Sequence, residues 1–156
     1  QTDVLTGLAN RRAMQDILSR WQDADKTFAV VSMDIDHFKR VNDTFGHGVG
    51  DETLRAIAQL MQQNSRSNDL PCRVGGEEFV LLLPNSSLQA ATDVAERLRA
   101  SIEAANIVTV GHVTVSLGVA LWHPGGDSIS AVLERADQLL YQAKQNGRNR
   151  VVAEQA

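Results

Sequence analysis

Cysteine is almost missing from this chain, and the lone Cys72 sits in an apolar stretch. No internal disulfide can form, so the fold must stand on its core, and a reducing compartment such as the cytosol fits. No apolar run approaches the ~20 residues that cross a bilayer, and no signal-peptide pattern opens the sequence. This domain is therefore expected to make no membrane contact and to work in the cytoplasm, whatever upstream segments anchor a longer parent. Positive charge is also in deficit, with 15 Lys and Arg against 19 Asp and Glu. The net charge of -4 argues against a protein that grips nucleic-acid polymers by their phosphates. It leaves open a nucleotide substrate, which needs only a few local cations. Repeats, low-complexity tracts and long linkers are absent too, so nothing divides the chain. It begins at Gln1 and enters its first motif at once, which reads as a single domain, residues 1–156, excised from a longer protein.

What is present is an ordinary globular composition, 43% hydrophobic and 22% charged, in a length that suits one core. Met14, Ile17, Leu18 and Trp21 share a helical face over 10–21. Phe28 to Met33 is a nearly unbroken apolar run, which predicts a strand covered on both faces. Leu54, Ile57, Ala58 and Met61 predict a helix over 51–63, and Ala91, Val94, Ala95, Leu98 and Ile102 predict another. Val113 to Leu121 alternates as a strand does, Ile129 to Ala143 carries a final helical face, and Val151-Val152 suggests an edge strand. The order α-β-α-α-β-β-α-β-α-β predicts an α/β (α+β sandwich) fold. Its mixed central sheet would be flanked by helices around a ferredoxin-like β-α-β-β-α-β core. That architecture hosts many functions, so function has to come from the site.

The run Arg73-Val74-Gly75-Gly76-Glu77-Glu78-Phe79-Val80 lies between apolar arms, Leu70 to Val74 and Phe79 to Leu83. It predicts a tight hairpin in which the glycines supply positive φ. The two acids are either the wet tip of a turn or, beside bare glycine backbone, ligands for a metal–phosphate complex. Asp34 and Asp36 end the first buried strand, where open α/β sheets place their ligands. One of them is expected to cap the following helix. Asp34 together with Glu77 would put two carboxylates within reach of a divalent ion pair, with phosphates and waters completing the shell. Lys39, Lys144 and Arg148 lie near turns where phosphate can meet them, although cations at a helix end before glycine are also ordinary capping. Asp51 is a helix cap by position, or half of a base-reading pair with Asn42. A carboxylate accepts from guanine N1–H and N2–H₂, a donor pair adenine lacks, while Asn offers both a donor and an acceptor.

With these residues assembled, the chain resembles the GGDEF family of diguanylate cyclases over nearly its whole length. The resemblance rests on Asp3-Val4-Leu5-Thr6-Gly7-Leu8-Ala9-Asn10-Arg11-Arg12, Asp34-Ile35-Asp36-His37-Phe38-Lys39, Asn42-Asp43, Gly46-His47 and Gly50-Asp51. It continues through Gly75-Gly76-Glu77-Glu78-Phe79, Ser116-Leu117-Gly118-Val119 and the stretch from Ala136-Asp137 to Gly147-Arg148-Asn149. The family motif allows Asp or Glu at the third signature position, so Glu77 is a permitted variant. The resemblance implies that two GTP become cyclic di-GMP and two pyrophosphates. It implies that Asp34, the Ile35 carbonyl and Glu77 bind two Mg²⁺ (or Mn²⁺) per half-site. Glu77 would also serve as base for the 3′-hydroxyl, with Glu78 sharing metal or proton duty. Asn42 and Asp51 would read guanine with His47 nearby, and Lys39, Lys144 and Arg148 would hold the outer phosphates. Each domain would carry one GTP, so catalysis needs a homodimer with two nucleotides antiparallel.

Arg66-Ser67-Asn68-Asp69 precedes the signature. In isolation Arg and Asp three apart make an exposed ion pair of little worth. The resemblance implies instead an inhibitory site for cyclic di-GMP, completed by Arg97. The rival function is a catalytically silent module that binds GTP or cyclic di-GMP. Retention of Asp34, Glu77 and Glu78 speaks against it.

Overall fold

A computed structural model describes residues 1–155. Ten elements follow in the expected order: α1 (Arg11–Asp23), β1 (Phe28–Ile35), α2 (Phe38–Phe45), α3 (His47–Gln63), β2 (Leu70–Arg73), β3 (Glu78–Pro84), α4 (Leu88–Ala104), β4 (Val115–Trp122), α5 (Ile129–Gln145) and β5 (Arg150–Ala153). The sheet runs β2-β3-β1-β4-β5. Its first four strands are antiparallel, in the ferredoxin-like order, and β5 adds a parallel edge beside β4.

All eight residues of β1 are buried, because it lies between β3 and β4 with helices on both faces. Ala29, Val31, Met33 and Ile35 pack with Leu54, Ile57, Leu98 and Ile102 of α3 and α4. Phe28 and Val30 face Met14 and Leu18 of α1 and Val132 and Ala136 of α5. Each Val, Leu, Ile, Met or Phe side chain among them contributes about 1.5–3 kcal/mol when fully buried. The alternation places Ser32 and Asp34 on the α1/α5 face, so polar groups enter a layer that is otherwise apolar. α1, α4 and α5 start on side-chain caps: Asn10, Ser87 and Ser128 accept from the backbone N–H of Ala13, Ala90 and Ala131. Cys72 is buried in β2, and burial pushes its thiol up to about 12. Gly118 is where α5 crosses β4. A Cβ there would overlap the Ala136 carbonyl oxygen and the Leu140 nitrogen, both helix backbone.

Four local expectations need correction. β4 begins at Val115 rather than Val113, and six consecutive residues are buried instead of alternating, because helices cover both faces. α3 begins at His47, so Asp51 lies within the helix and does not cap it; the N-cap is Gly46. Neither Asp34 nor Asp36 caps α2, whose N-cap is His37 in a left-handed conformation (φ 57°) without a side-chain cap bond. The signature hairpin is also wider than a two-residue turn. β2 ends at Arg73 and β3 starts at Glu78, and neither Gly75 nor Gly76 has positive φ.

Candidate active site

The site begins at the end of β1. Asp34 pairs across the sheet with Glu78 of β3 and Ser116 of β4, so its side chain stands on the α1/α5 face. It is buried, and its Oδ2 accepts from the Lys144 ammonium, which the last turn of α5 brings over the strand. Its Oδ1 is buried without a hydrogen-bond partner. An unpartnered carboxylate oxygen in such a position is costly unless something else meets it. The β3 ladder stops at Asp34 and Glu78, leaving Ile35 without a β3 partner while it still pairs with Val115 on the other side.

Glu77 ends the hairpin loop and is half-buried. Burial holds its carboxyl above the ordinary range, the negative charges of Asp34 and Glu78 push it further up, and Lys144 opposes them. These four groups therefore share one electrostatic neighbourhood. A cavity of about 280 Å³ beside it is lined by Ser32, Asp34, Glu78, Asp137, Tyr141 and Lys144, among others. Ser32 donates to Asp137 at 2.8 Å across its floor.

The loop that carries Glu77 is held from outside. Arg73 donates to the Gly76 carbonyl through Nε (3.0 Å) and Nη2 (2.8 Å), and its Nη1 reaches both Asp3 oxygens at 3.2 Å. Arg11 donates to the Val74 carbonyl at 3.1 Å. Asp3 also takes the Thr6 N–H and hydroxyl, and these bonds with Arg73 lower its pKa although burial alone would raise it. Sequence reasoning missed this clamp; Asp3 and Arg11 belong to the quoted opening motif, but their partner is 70 residues from Asp3. A Cβ on Gly75 would come within 3.2 Å of the Glu78 side chain, whereas at Gly76 it would meet nothing. Neither φ nor protein packing therefore accounts for glycine at 76, and its bare backbone faces open space.

Of the expected guanine readers, Asn42 on α2 and Asp51 on α3 are half-buried, and His47 is exposed on the first residue of α3. A Cβ on Gly50 would overlap Asn42 Oδ1 and lie 3.1 Å from its Cγ. Asn42 thus rests against the residue before Asp51, where the two helices meet. Among the expected phosphate groups, Lys144 joins Asp34, and Arg148 is exposed on a left-handed turn just beyond α5 (φ 63°). Lys39 is exposed and donates to Asp43 at 2.9 Å, which raises its pKa.

Arg66 and Asp69 form an ion pair at 3.3 Å, and the Arg66 N–H donates to Asp69 Oδ2 at 2.8 Å. Arg66 also donates to Ser86 at 3.0 Å. Arg97 donates to Asn64, both to Oδ1 (3.3 Å) and to the carbonyl (3.1 Å), which brings it to the segment that carries Arg66.

Among the described residues, no three His, Cys, Asp or Glu side chains form a set able to hold a metal by themselves. Asp34 and Glu77 still suit a hard divalent cation. Mg²⁺ takes one or two carboxylates and fills its shell with substrate phosphate and water, and the free Asp34 Oδ1 is an oxygen of that kind.

This constellation can be set against known proteins. Residues 1–150 match the family model described as diguanylate cyclase, GGDEF domain. The chain belongs to the GGDEF family. A relative of this GGDEF domain, the response regulator PleD of Caulobacter vibrioides, is 44% identical over 165 residues, covering 99% of this chain and 36% of the relative. The chain thus spans about a third of that protein's length. The GGDEF fold matches a crystal structure of the coiled coil and GGDEF domain of DgcB from Caulobacter crescentus in complex with c-di-GMP. The TM-score is 0.90 at 36% identity, over 98% of this chain and 85% of that one. It also matches the active GGEEF domain of a diguanylate cyclase from Vibrio cholerae, with a TM-score of 0.86 at 35% identity, over 96% and 99% of the two chains. Among the described residues no helix is long and apolar enough to cross a membrane.

Proposed function

We propose that this GGDEF domain is a diguanylate cyclase that condenses two GTP into cyclic di-GMP and two pyrophosphates as a homodimer. The observation that carries the reading is the buried Asp34 with one oxygen unpartnered, beside Lys144 and the Glu77 hairpin. The signature Gly75-Gly76-Glu77-Glu78-Phe79 is the GGEEF form for which a solved relative is described as active.

In this reading Asn42 and Asp51 read the guanine edge with His47 beside them, and Lys144, Arg148 and Lys39 take the outer phosphates. Two Mg²⁺ or Mn²⁺ ions would be held by Asp34, the Ile35 carbonyl and Glu77. Such ions neutralise phosphate charge and acidify a hydroxyl when bound. Gly76, whose backbone is open, lets the nucleotide approach the hairpin closely. The 3′-oxygen of one GTP attacks the α-phosphorus of the other, the bond to pyrophosphate breaks, and the hydroxyl proton leaves to a carboxylate. Glu77 is the carboxylate assigned that duty, at the hairpin tip in the electrostatic neighbourhood of Asp34 and Lys144. Glu78, exposed beside it, would share that duty. Each chain holds one GTP, so attack requires a second copy facing the first, and positioning in that pair supplies much of the rate.

Product inhibition follows from Arg66, Asp69 and Arg97. The Asp69 side chain is only 1% exposed and holds the backbone of Arg66, whose own side chain is 60% exposed. A pre-set arginine suits guanine O6 and N7 or a phosphate, and cyclic di-GMP presents both. Incubation with GTP and Mg²⁺ should give cyclic di-GMP by chromatography, and Glu77→Ala should give none while remaining folded. Arg66→Ala should keep its rate as product accumulates, whereas the unaltered chain slows. Equal product from Glu77→Ala would sink the assignment.

A further inference from the structure

Asp36 is buried at the end of β1, two residues beyond Asp34, and has no part in the chemistry above. Its carboxylate is fully engaged. Oδ1 accepts from the Ser116 hydroxyl at 2.7 Å, and Oδ2 accepts from the Thr114 hydroxyl at 2.7 Å and the Asn149 backbone N–H at 3.0 Å. The last of these bonds spans 113 positions and ends on the turn that carries Arg148. That turn is unusual. Gly147, Arg148 and Asn149 have φ of 118°, 63° and 47°, three successive residues in a region that side chains avoid for steric reasons. Such a run persists only where its surroundings over-determine it.

The surroundings do so at Asn149. Its side chain accepts from Arg99 Nη1 at 2.9 Å and donates to Glu103 Oε2 at 2.6 Å, both on α4. On the other flank the Arg148 N–H closes onto the Ala143 carbonyl at 2.9 Å. Asn149 is thus tied to α4 through its side chain and to β1 through its backbone, while Arg148, next to it, stays exposed.

We propose that Asp36 and Asn149 form a positioning latch, fixing the left-handed Gly147-Arg148-Asn149 turn against the end of β1 so that Arg148 is aimed at the outer phosphates. The inference rests on the reading that Arg148 binds those phosphates. A carboxylate suits the joint because one group must take two hydroxyls and one N–H that has no other acceptor.

The test compares two ligands by calorimetry with Mg²⁺ present: a non-hydrolysable GTP analogue, and GMP, which keeps the base and lacks the outer phosphates. Asp36→Ala should weaken the analogue about tenfold or more, the loss of a charge-assisted contact, and change GMP by no more than about twofold. Asp36→Asn keeps an acceptor for the Asn149 N–H and should restore most of the affinity. Arg148→Ala should weaken the analogue as Asp36→Ala does, and the two together should lose no more than either alone. If Asp36→Ala does not fold, Asn149→Gly serves. It tolerates the left-handed backbone and loses the ties to Arg99 and Glu103, and it should show the same preference for harming the analogue. Unchanged analogue binding in Asp36→Ala or Asn149→Gly, with Arg148→Ala impaired, overturns the latch. Equal loss of analogue and GMP also overturns it, since that is a general structural defect. Unimpaired binding in Arg148→Ala overturns the phosphate reading beneath it.

Discussion

Gly50→Ala adds one methyl group at a place where the chain has no backbone need for glycine, since its φ is not positive. The new Cβ would overlap Asn42 Oδ1, lie 3.1 Å from Asn42 Cγ and 3.4 Å from Phe38 Cζ. Phe38 can keep its place at that distance. The Asn42 amide cannot, and it is the end of a short side chain that can rotate away. Folding should therefore suffer little, because Ala for Gly in a helix gains roughly 0.5–1 kcal/mol, which offsets the repacking. Guanine reading should suffer much more. A two-point contact to a base is worth about 1–3 kcal/mol, or roughly 5- to 150-fold in affinity. The assay pairs urea denaturation with calorimetric titration of a non-hydrolysable GTP analogue. Gly50→Ala is expected to retain its stability and lose affinity within that range, matching Asn42→Ala, with no further loss when the two are combined. Unaltered affinity in a folded Gly50→Ala protein would refute the assignment of Asn42 to the base.

Two further outcomes follow from the packing and the charges. Gly118→Ala should destabilise the fold by about 1–3 kcal/mol in urea, because the overlapping atoms are helix backbone and cannot rotate aside; wild-type stability would contradict the close approach of α5 to β4. Glu77 holds its proton to higher pH in the folded chain than its ordinary value of 4.5. That contribution to stability is complete below 4.5 and is lost as pH rises through the higher folded value. In metal-free buffer Glu77→Gln should therefore match the wild type at low pH and gain on it as pH rises. A stability difference that does not vary with pH would contradict the crowding of Glu77 by Asp34 and Glu78.

The element order was legible because apolar spacing reports directly on which face is covered: the run Phe28 to Met33 is the central strand, and Met14 with Leu18 is the inner face of α1. The nearness of the hairpin acids to Asp34 was legible for a similar reason, since a strand end and a hairpin tip meet when their strands pair: Glu78 lies opposite Asp34, and Glu77 feels its charge. What stayed hidden depends on distant segments touching. Asp36 looked like a cap because caps are local, yet its partners lie 78, 80 and 113 positions away. Gly75 and Gly76 suggested a left-handed turn, but the wider loop is held by Arg73 and Arg11 instead. Gly50 and Gly118 have no sequence signal beyond the family motif, because what their missing side chains admit comes from another helix.

In the proposed reaction two copies of this chain, each carrying GTP, make the product together. Initial rates of cyclic di-GMP formation from saturating GTP and Mg²⁺, measured over a wide dilution series, test it most directly. For such a pair the rate per chain climbs with protein concentration and then levels off, with no product from Glu77→Ala at any concentration. A rate per chain that stays constant down to the highest dilution, or no product even at the highest concentration, would contradict it.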